Sequence, residues 1–442
     1  MKLPPGPRGH FLLGNLPEFA RDLLAFHEYC RDEFGDIVRL KLGTRTVYVL
    51  NHPDFIHEVL VANHRNFIKH SFFWRHVTAI FGAGLLTNEG DSWLRQRRLM
   101  APAFHRDRIT AYGETMVAFT ERMLEGWRAG EVRTVHHDMM HLTLEIVGKV
   151  LFDADVGGDA DAIGSAFDAV TDEIAARFRR PVFIPDWIPI PGNVRYRRGV
   201  ATLDNLVYRI IGEHRANGAQ GGDLLSMLMH ARDEEGQQMN DRQLRDEAVT
   251  LLLAGHETTA LALSWTWYLL SHHPEVDGQL HEEVRRVLNG RSPTPADMRG
   301  LRYTEQVIQE SMRLYPPAYG FGREALEDCQ LGGYDVPAGT TVFMSPWLMH
   351  HDPRWFDEPY RFDPDRWSDG LADRLPRHAY IPFGGGPRVC IGNTFAMMEA
   401  VLLLATIAQR FRLERVSDAP VKPHTTITLR PQGGVPLRVT AR

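Results

Sequence analysis

Cys390 has the most chemically suggestive setting in the 442-residue chain. It lies in the run Phe383-Gly384-Gly385-Gly386-Pro387-Arg388-Val389-Cys390-Ile391-Gly392, ahead of a largely apolar, helix-forming stretch from Asn393 to Phe411. Three glycines allow backbone angles that side chains forbid and let the chain lie flat against a bulky partner. Pro387 stiffens the turn. A cysteine just before a helix start meets unpaired N–H groups and the positive end of the helix dipole, which favour thiolate over thiol. Arg388 adds a second stabilising charge. The setting suits one metal-bound thiolate. Only Cys30, Cys329 and Cys390 occur, none in a CxxC pair, so a zinc ribbon or iron–sulfur cluster is unsupported and a lone thiolate suits a haem iron better. The plainer alternative is a glycine turn before a core helix, with Cys390 as a small buried residue.

Other constellations are weaker alone. Glu247 to Leu270 carries Ala254-Gly255-His256-Glu257-Thr258-Thr259 at its centre. Its apolar flanks could suit a membrane span, but the polar centre favours a buried central helix. His256-Glu257 could open a zinc-protease HExxH, yet position 260 is alanine and the second ligand is missing. Trp93 and Arg97, four apart, share a helix face, so an indole N–H and a guanidinium can meet one carboxylate. Glu310 and Arg313 are paired by i,i+3 spacing, with Arg366 following in Phe362-Asp363-Pro364-Asp365-Arg366-Trp367. His137, His141 and Glu145 recur every four residues on one helix face, a conceivable metal site without a fourth feature to support it. Arg95, Arg98, Arg106 and Arg108 form a basic cluster, read either as a solvated face or as a docking site for an acidic electron donor.

The ten-residue string around Cys390 fits Phe-Gly-x-Gly-x-Arg-x-Cys-x-Gly and resembles the haem-binding loop of the cytochrome P-450 family. The other landmarks follow in that family's order and spacing, closest to soluble bacterial members that resemble the haem domains of fused fatty-acid hydroxylases. The resemblance implies haem b held by Cys390, with Trp93, Arg97, Arg323, Phe383, Arg388 and Gly392 among the cofactor contacts. It implies an oxygen-binding groove at Ala254-Gly255 and a proton relay through Glu257 and Thr258. A buried Glu310–Arg313–Arg366 network would be structural, and Leu86, Leu252, Ala254, Ala318 and Tyr319 would line the substrate pocket. Arg45 and Tyr48, in a hairpin read over Asp36 to Leu50, could anchor a substrate carboxylate. Where the family has His-Arg-Asp-Pro, this chain has His350-His351-Asp352-Pro353, which puts one local pairing in doubt.

These residues need a scaffold, and the patterns supply one. Ala111 to Met227 is mostly amphipathic helix, Phe67 to Leu86 an aromatic, glycine-broken loop containing Phe72, Phe73, Trp74 and Phe81, and Asp328 to Met344 a set of strands around glycine turns. Thr425 to Arg442 alternates like a closing hairpin. The expected fold is mainly α with a small β region, a single large cytochrome P-450 domain over residues 1–442 without a fused reductase.

Hydrophobic content of 43% and charged content of 24% are ordinary for a globular protein with a sizeable core. A net charge of −6 gives no global pull toward nucleic acid. No long apolar run precedes Met-Lys-Leu-Pro-Pro-Gly-Pro, so no signal peptide or membrane anchor is expected, and sparse cysteines fit a reducing cytoplasm. The resemblance implies a monomeric monooxygenase that takes O2, a hydrophobic small-molecule substrate such as a fatty acid or terpenoid, and electrons from a ferredoxin or flavodoxin with its NAD(P)H-dependent reductase. A peroxide-driven peroxygenase, a haem isomerase and a non-catalytic haem sensor are the alternatives. The intact Glu257-Thr258 pair speaks against them.

Overall fold

A computed structural model describes residues 1–69, 77–78, 80–180, 184–218, 222–232 and 236–442. Phe72, Phe73 and Trp74 of the aromatic loop fall outside them. One long helix, Asp241–His272, runs through the middle of the molecule. It begins at a capping box in which Asn240 and Gln243 satisfy each other's backbone N–H groups. Beyond Leu244 it is buried nearly all round, which explains an apolar composition without a clean stripe. No helix among the described residues is long and apolar enough to cross a membrane.

Around this central helix pack Arg106–Glu125, Val135–Phe152, Arg302–Leu314 and Asn393–Arg410, whose apolar faces merge into one large core. The last of these stops one residue short of Phe411, which starts a strand. Ala160–Arg179 and Pro191–Ala216 pack on each other, and the first, here the roof helix, contributes Phe167, Ala175 and Phe178 to the wall of a large cavity.

The strands are β1 (Ile37–Leu42), β2 (Arg45–Leu50), β3 (Phe67–Lys69), β4 (Val132–Thr134), β5 (Phe321–Ala325), β6 (Cys329–Leu331), β7 (Tyr334–Val336), β8 (Thr341–Met344), β9 (Phe411–Arg415), β10 (Pro423–Thr425), β11 (Leu429–Pro431) and β12 (Pro436–Ala441). A five-stranded sheet has the order β1-β2-β8-β5-β3, parallel only between β2 and β8. Its hairpin turns at Gly43, where φ is +61°. The carboxy-terminal segment is not one closing hairpin. β10 and β11 form a hairpin, whereas β12 pairs with β9 and β4 in a separate sheet.

Two sequence-based placements are corrected. Arg45 and Tyr48 stand three apart on β2, and odd spacing sends side chains to opposite faces of a strand. Arg45 lines the cavity, while Tyr48 is fully buried in the sheet's core and donates its hydroxyl to Asp335 O at 3.0 Å. Tyr48 therefore cannot share a substrate anchor with Arg45. Leu252 is likewise turned away from the cavity into the helical core, and the helix presents Leu251, Ala254, Thr258 and Ala262 instead. These fall at i, i+3, i+7 and i+11, one face of a 3.6-residue period.

Candidate active site

The loop ahead of Cys390 is shaped by close contact. Gly384 and Gly386 have φ of +70° and +66°, and a Cβ on Gly386 would run into Leu60 O. Leu60 belongs to a π-turn, Glu58–Ala62, that extends the short helix Pro53–His57. Glycine is thus required at 386 on two counts. Gly386–Arg388 makes a turn of 3-10 helix, and Cys390 N–H donates to Phe383 O at 3.0 Å, closing the loop before the helix at Asn393. His350 Nε2 accepts from Ile381 N–H at 2.9 Å, and burial holds that imidazole neutral so that it can accept.

Cys390 opens onto a cavity of about 900 Å³. Burial raises its thiol pKa, while the Gly392 N–H and the Arg97 charge oppose the rise. Trp93, Arg97, Arg323, Phe383, Arg388 and Gly392 all line the same cavity. The Arg388 guanidinium lies 3.8 Å from the Trp93 ring centroid, donates to Asn88 O at 2.8 Å and pairs with Glu89. Lys69, which the sequence reading missed, lines this wall too, with its ammonium on Leu86 O. Its one sequence signal is a lysine at the end of a strand entering the aromatic loop.

The cations crowd one another. Burial and the Arg388 charge bring Arg323 down to about 10. Burial, with Arg97 nearby, brings Arg388 to the same value against the pull of Glu89. Lys69 falls well below its ordinary value through burial and both arginines. Such a wall is short of negative charge, and the two propionates of a haem would supply it. A thiol on the floor, a flat glycine turn and a cationic wall on one cavity therefore fit haem b.

Across the cavity, Thr258 Oγ1 donates to Ala254 O at 2.7 Å and is exposed to the cavity. Glu257 is buried beside it. Burial raises its carboxyl pKa, opposed by Arg430, whose Nε stands 2.7 Å from Oε1, and Thr428 donates to the same oxygen at 2.9 Å. Arg430 also binds Asp168 of the roof helix at 2.7 Å. Neither Arg430 nor Asp168 is near Glu257 in sequence, so this grip was not legible.

Leu86, Ala318 and Tyr319 complete the apolar wall, and the Tyr319 hydroxyl is spent on Thr426 O at 2.8 Å. Leu85 and Leu86 sit on a loop clamped to the central helix. Asp246 accepts Ala83 N–H and Glu247 accepts Leu85 N–H, both at 2.8 Å, while Gly82 and Gly84 press against Asp246 and Thr250.

Below the loop, Glu310 and Arg313 are fully buried and doubly bonded at 2.8 Å, with Arg366 Nε at 2.9 Å from Glu310. Arg313 also donates to His350 O and Pro359 O. In the departing His350-His351-Asp352-Pro353 segment, Asp352 pairs with Arg354 at 2.6 Å and Arg31 donates to His351 O at 3.2 Å.

The sequence model of the family described as Cytochrome P450 matches residues 4–437. The chain belongs to the cytochrome P450 family. Cyclooctatin synthase of Streptomyces melanosporofaciens is 39% identical over 398 residues, covering 89% of this chain and 86% of that protein. Cyclooctat-9-en-7-ol 5-monooxygenase of the same organism is 38% identical over 384 residues, covering 86% and 83%. Pentalenene oxygenase of Streptomyces avermitilis is 36% identical over 412 residues, covering 92% and 91%. The P450 described here is a haem-thiolate monooxygenase that inserts one oxygen atom of O2 into a C–H bond of a hydrophobic small molecule. Its electrons come from redox partners.

Proposed function

We propose that this P450 hydroxylates a terpenoid, as one haem domain served in the cytoplasm by a separate ferredoxin or flavodoxin and its NAD(P)H-dependent reductase. The apolar cavity wall carries the reading: Phe81, Leu86, Phe178, Leu251 and Ala318 offer shape to a hydrocarbon skeleton and few partners to a polar one. The names of the bacterial relatives add weight, since cyclooctat-9-en-7-ol and pentalenene are the compounds two of them are named for.

Cys390 would hold the iron, and Trp93, Arg97, Arg323, Arg388 and Lys69 the propionates. When bound, haem supplies the activation of oxygen. Arg97 and the Gly392 N–H offset part of the cost that burial puts on a charged Sγ, and iron would supply the rest. Thr258 holds a proton at Oγ1 and, by turning from Ala254 O, can present it to the cavity. Glu257 can reload that hydroxyl only once its carboxyl is protonated, which burial favours and which Arg430 and Thr428, both on Oε1, oppose. Apolar side chains over the groove keep stray water from both atoms.

Titration of the ferric holoenzyme with terpene hydrocarbons, terpene alcohols and fatty acids tests the substrate class. High-spin shifts with terpenes at low concentration are expected. A response to fatty acids alone would instead favour the second reading, which rests on Arg45 in the cavity wall. In that case Arg45→Ala would weaken a carboxylic acid but spare its methyl ester, and equal losses for both would remove Arg45 as an anchor.

A further inference from the structure

Away from the cavity, two imidazoles and a carboxylate converge from two helices. His137 and His141 are one turn apart on Val135–Phe152, with ring centroids 4.3 Å apart. Both turn Nε2 toward Oδ1 of Asp161, at 3.4 and 2.8 Å. One donor atom from each of the three lies within 4.8 Å of the others. Asp161 is the second residue of the roof helix, so it supplies from outside the Val135–Phe152 helix the further ligand that the histidine spacing lacked. Glu145, the third group on the histidine face, is engaged by Arg122 at 3.0 Å.

Around a tetrahedral ion with bonds of about 2.0–2.1 Å, donor atoms stand roughly 3.3 Å apart. The His–Asp separations bracket that value, and no pair of donor atoms stands more than 4.8 Å apart, so side-chain movements of about an ångström or two would close the set on an ion. Two neutral imidazoles and one carboxylate form a donor set for borderline divalent ions such as Zn2+, not for Ca2+ or Mg2+. His137 and Asp161 are 63% and 81% exposed, leaving room for water as a fourth ligand. We propose that His137, His141 and Asp161 bind a Zn2+-class ion that fastens the first turn of the roof helix to the body of the protein. Because the same helix carries Phe167 and Phe178 into the cavity wall, the ion would steady one wall of the substrate space from outside.

The competing account is a pair of imidazole hydrogen bonds to one carboxylate, with no affinity for metal. Tag-free, chelator-treated holoenzyme titrated with zinc chloride against a chromophoric chelator separates the two. One ion per chain is expected, with zinc-edge X-ray absorption reporting only nitrogen and oxygen ligands. Affinity should fall at least about tenfold in His141→Ala and in Asp161→Asn, one variant from each helix, and stay unchanged in His64→Ala, an exposed histidine outside the cluster. Zinc should slow amide exchange at the start of the roof helix in the wild type and not in Asp161→Asn. No saturable uptake, uptake indifferent to both variants, or uptake without slower exchange would each overturn the proposal.

Discussion

Glu399 lies on the Asn393–Arg410 helix, fully buried, and neither carboxyl oxygen has a hydrogen-bond partner. The nearby Thr259 hydroxyl lowers the cost of ionisation a little but is turned to Gly255 O at 3.4 Å, and burial leaves the pKa at about 8. The sign of the linkage follows. In the unfolded chain the group ionises near 4.5, in the folded protein near 8, so stability is full below the first value and is lost as pH rises toward the second. Glu399→Met should therefore stabilise the protein increasingly between pH 5 and 8, by on the order of a few kcal/mol at the alkaline end, as followed by denaturant unfolding. A pH-independent difference would mean that the carboxyl ionises as readily in the folded protein as in the unfolded chain. Glu257, proposed above as the proton source for Thr258, poses a different problem, since Arg430 and Thr428 both bind its Oε1 and favour the charged form. Glu257→Gln keeps the volume and removes the acid. Turnover should fall roughly 100-fold with an enlarged solvent isotope effect, while the carbon-monoxide spectrum and ligand affinity stay put. Loss of the spectrum as well would make Glu257 a structural residue.

Between elements, the clamp from Asp246 and Glu247 to the loop at Ala83–Leu85 fixes a wall of the cavity to the central helix. Glu247→Ala leaves the Leu85 N–H buried without an acceptor, at a cost of about 1–3 kcal/mol. The expected result is a raised KM and a broader set of oxidation products with little change in kcat, whereas Glu247→Gln, whose amide oxygen can still accept, should stay close to wild type. Equal behaviour of both variants would show that the hydrogen bond does not position the loop. The same comparison shows what sequence could carry. Cys390, the glycines before it and the Glu310–Arg313 spacing were legible because each pattern is short and local. Tyr48 was misread as a partner of Arg45 because the family pattern was applied without the strand's parity, and Leu252 because neighbours on a buried helix face in different directions. The partners Arg430, Asp168, Glu89 and Asp161 come from remote segments, and nothing in local spacing announces them.

At the level of the whole molecule, Lys69, Arg97, Arg323 and Arg388 face a shared cavity, with Glu89 as the anionic partner of Arg388. Their mutual repulsion is a standing cost that an anionic cofactor relieves, so haem binding and folding stability are linked. Protein produced under haem limitation should melt at a lower temperature than holoenzyme, and the gap should narrow in Arg323→Met, which removes one of the crowded charges. An unchanged gap would mean that the cofactor stabilises through apolar contact alone.

The parallel pairing of β2 with β8 joins Val47 to Thr341, and the cavity draws its wall from Leu12 through to Thr428. A chain emerging from the ribosome therefore meets its decisive contacts late. The strand that completes the sheet, the loop that bears Cys390 and the hairpin that grips Glu257 all lie beyond residue 340. These segments must be in place before the cavity can hold haem, so capture of the cofactor should follow their synthesis. The supply of haem at that moment, more than the speed of translation, should set the yield of working enzyme.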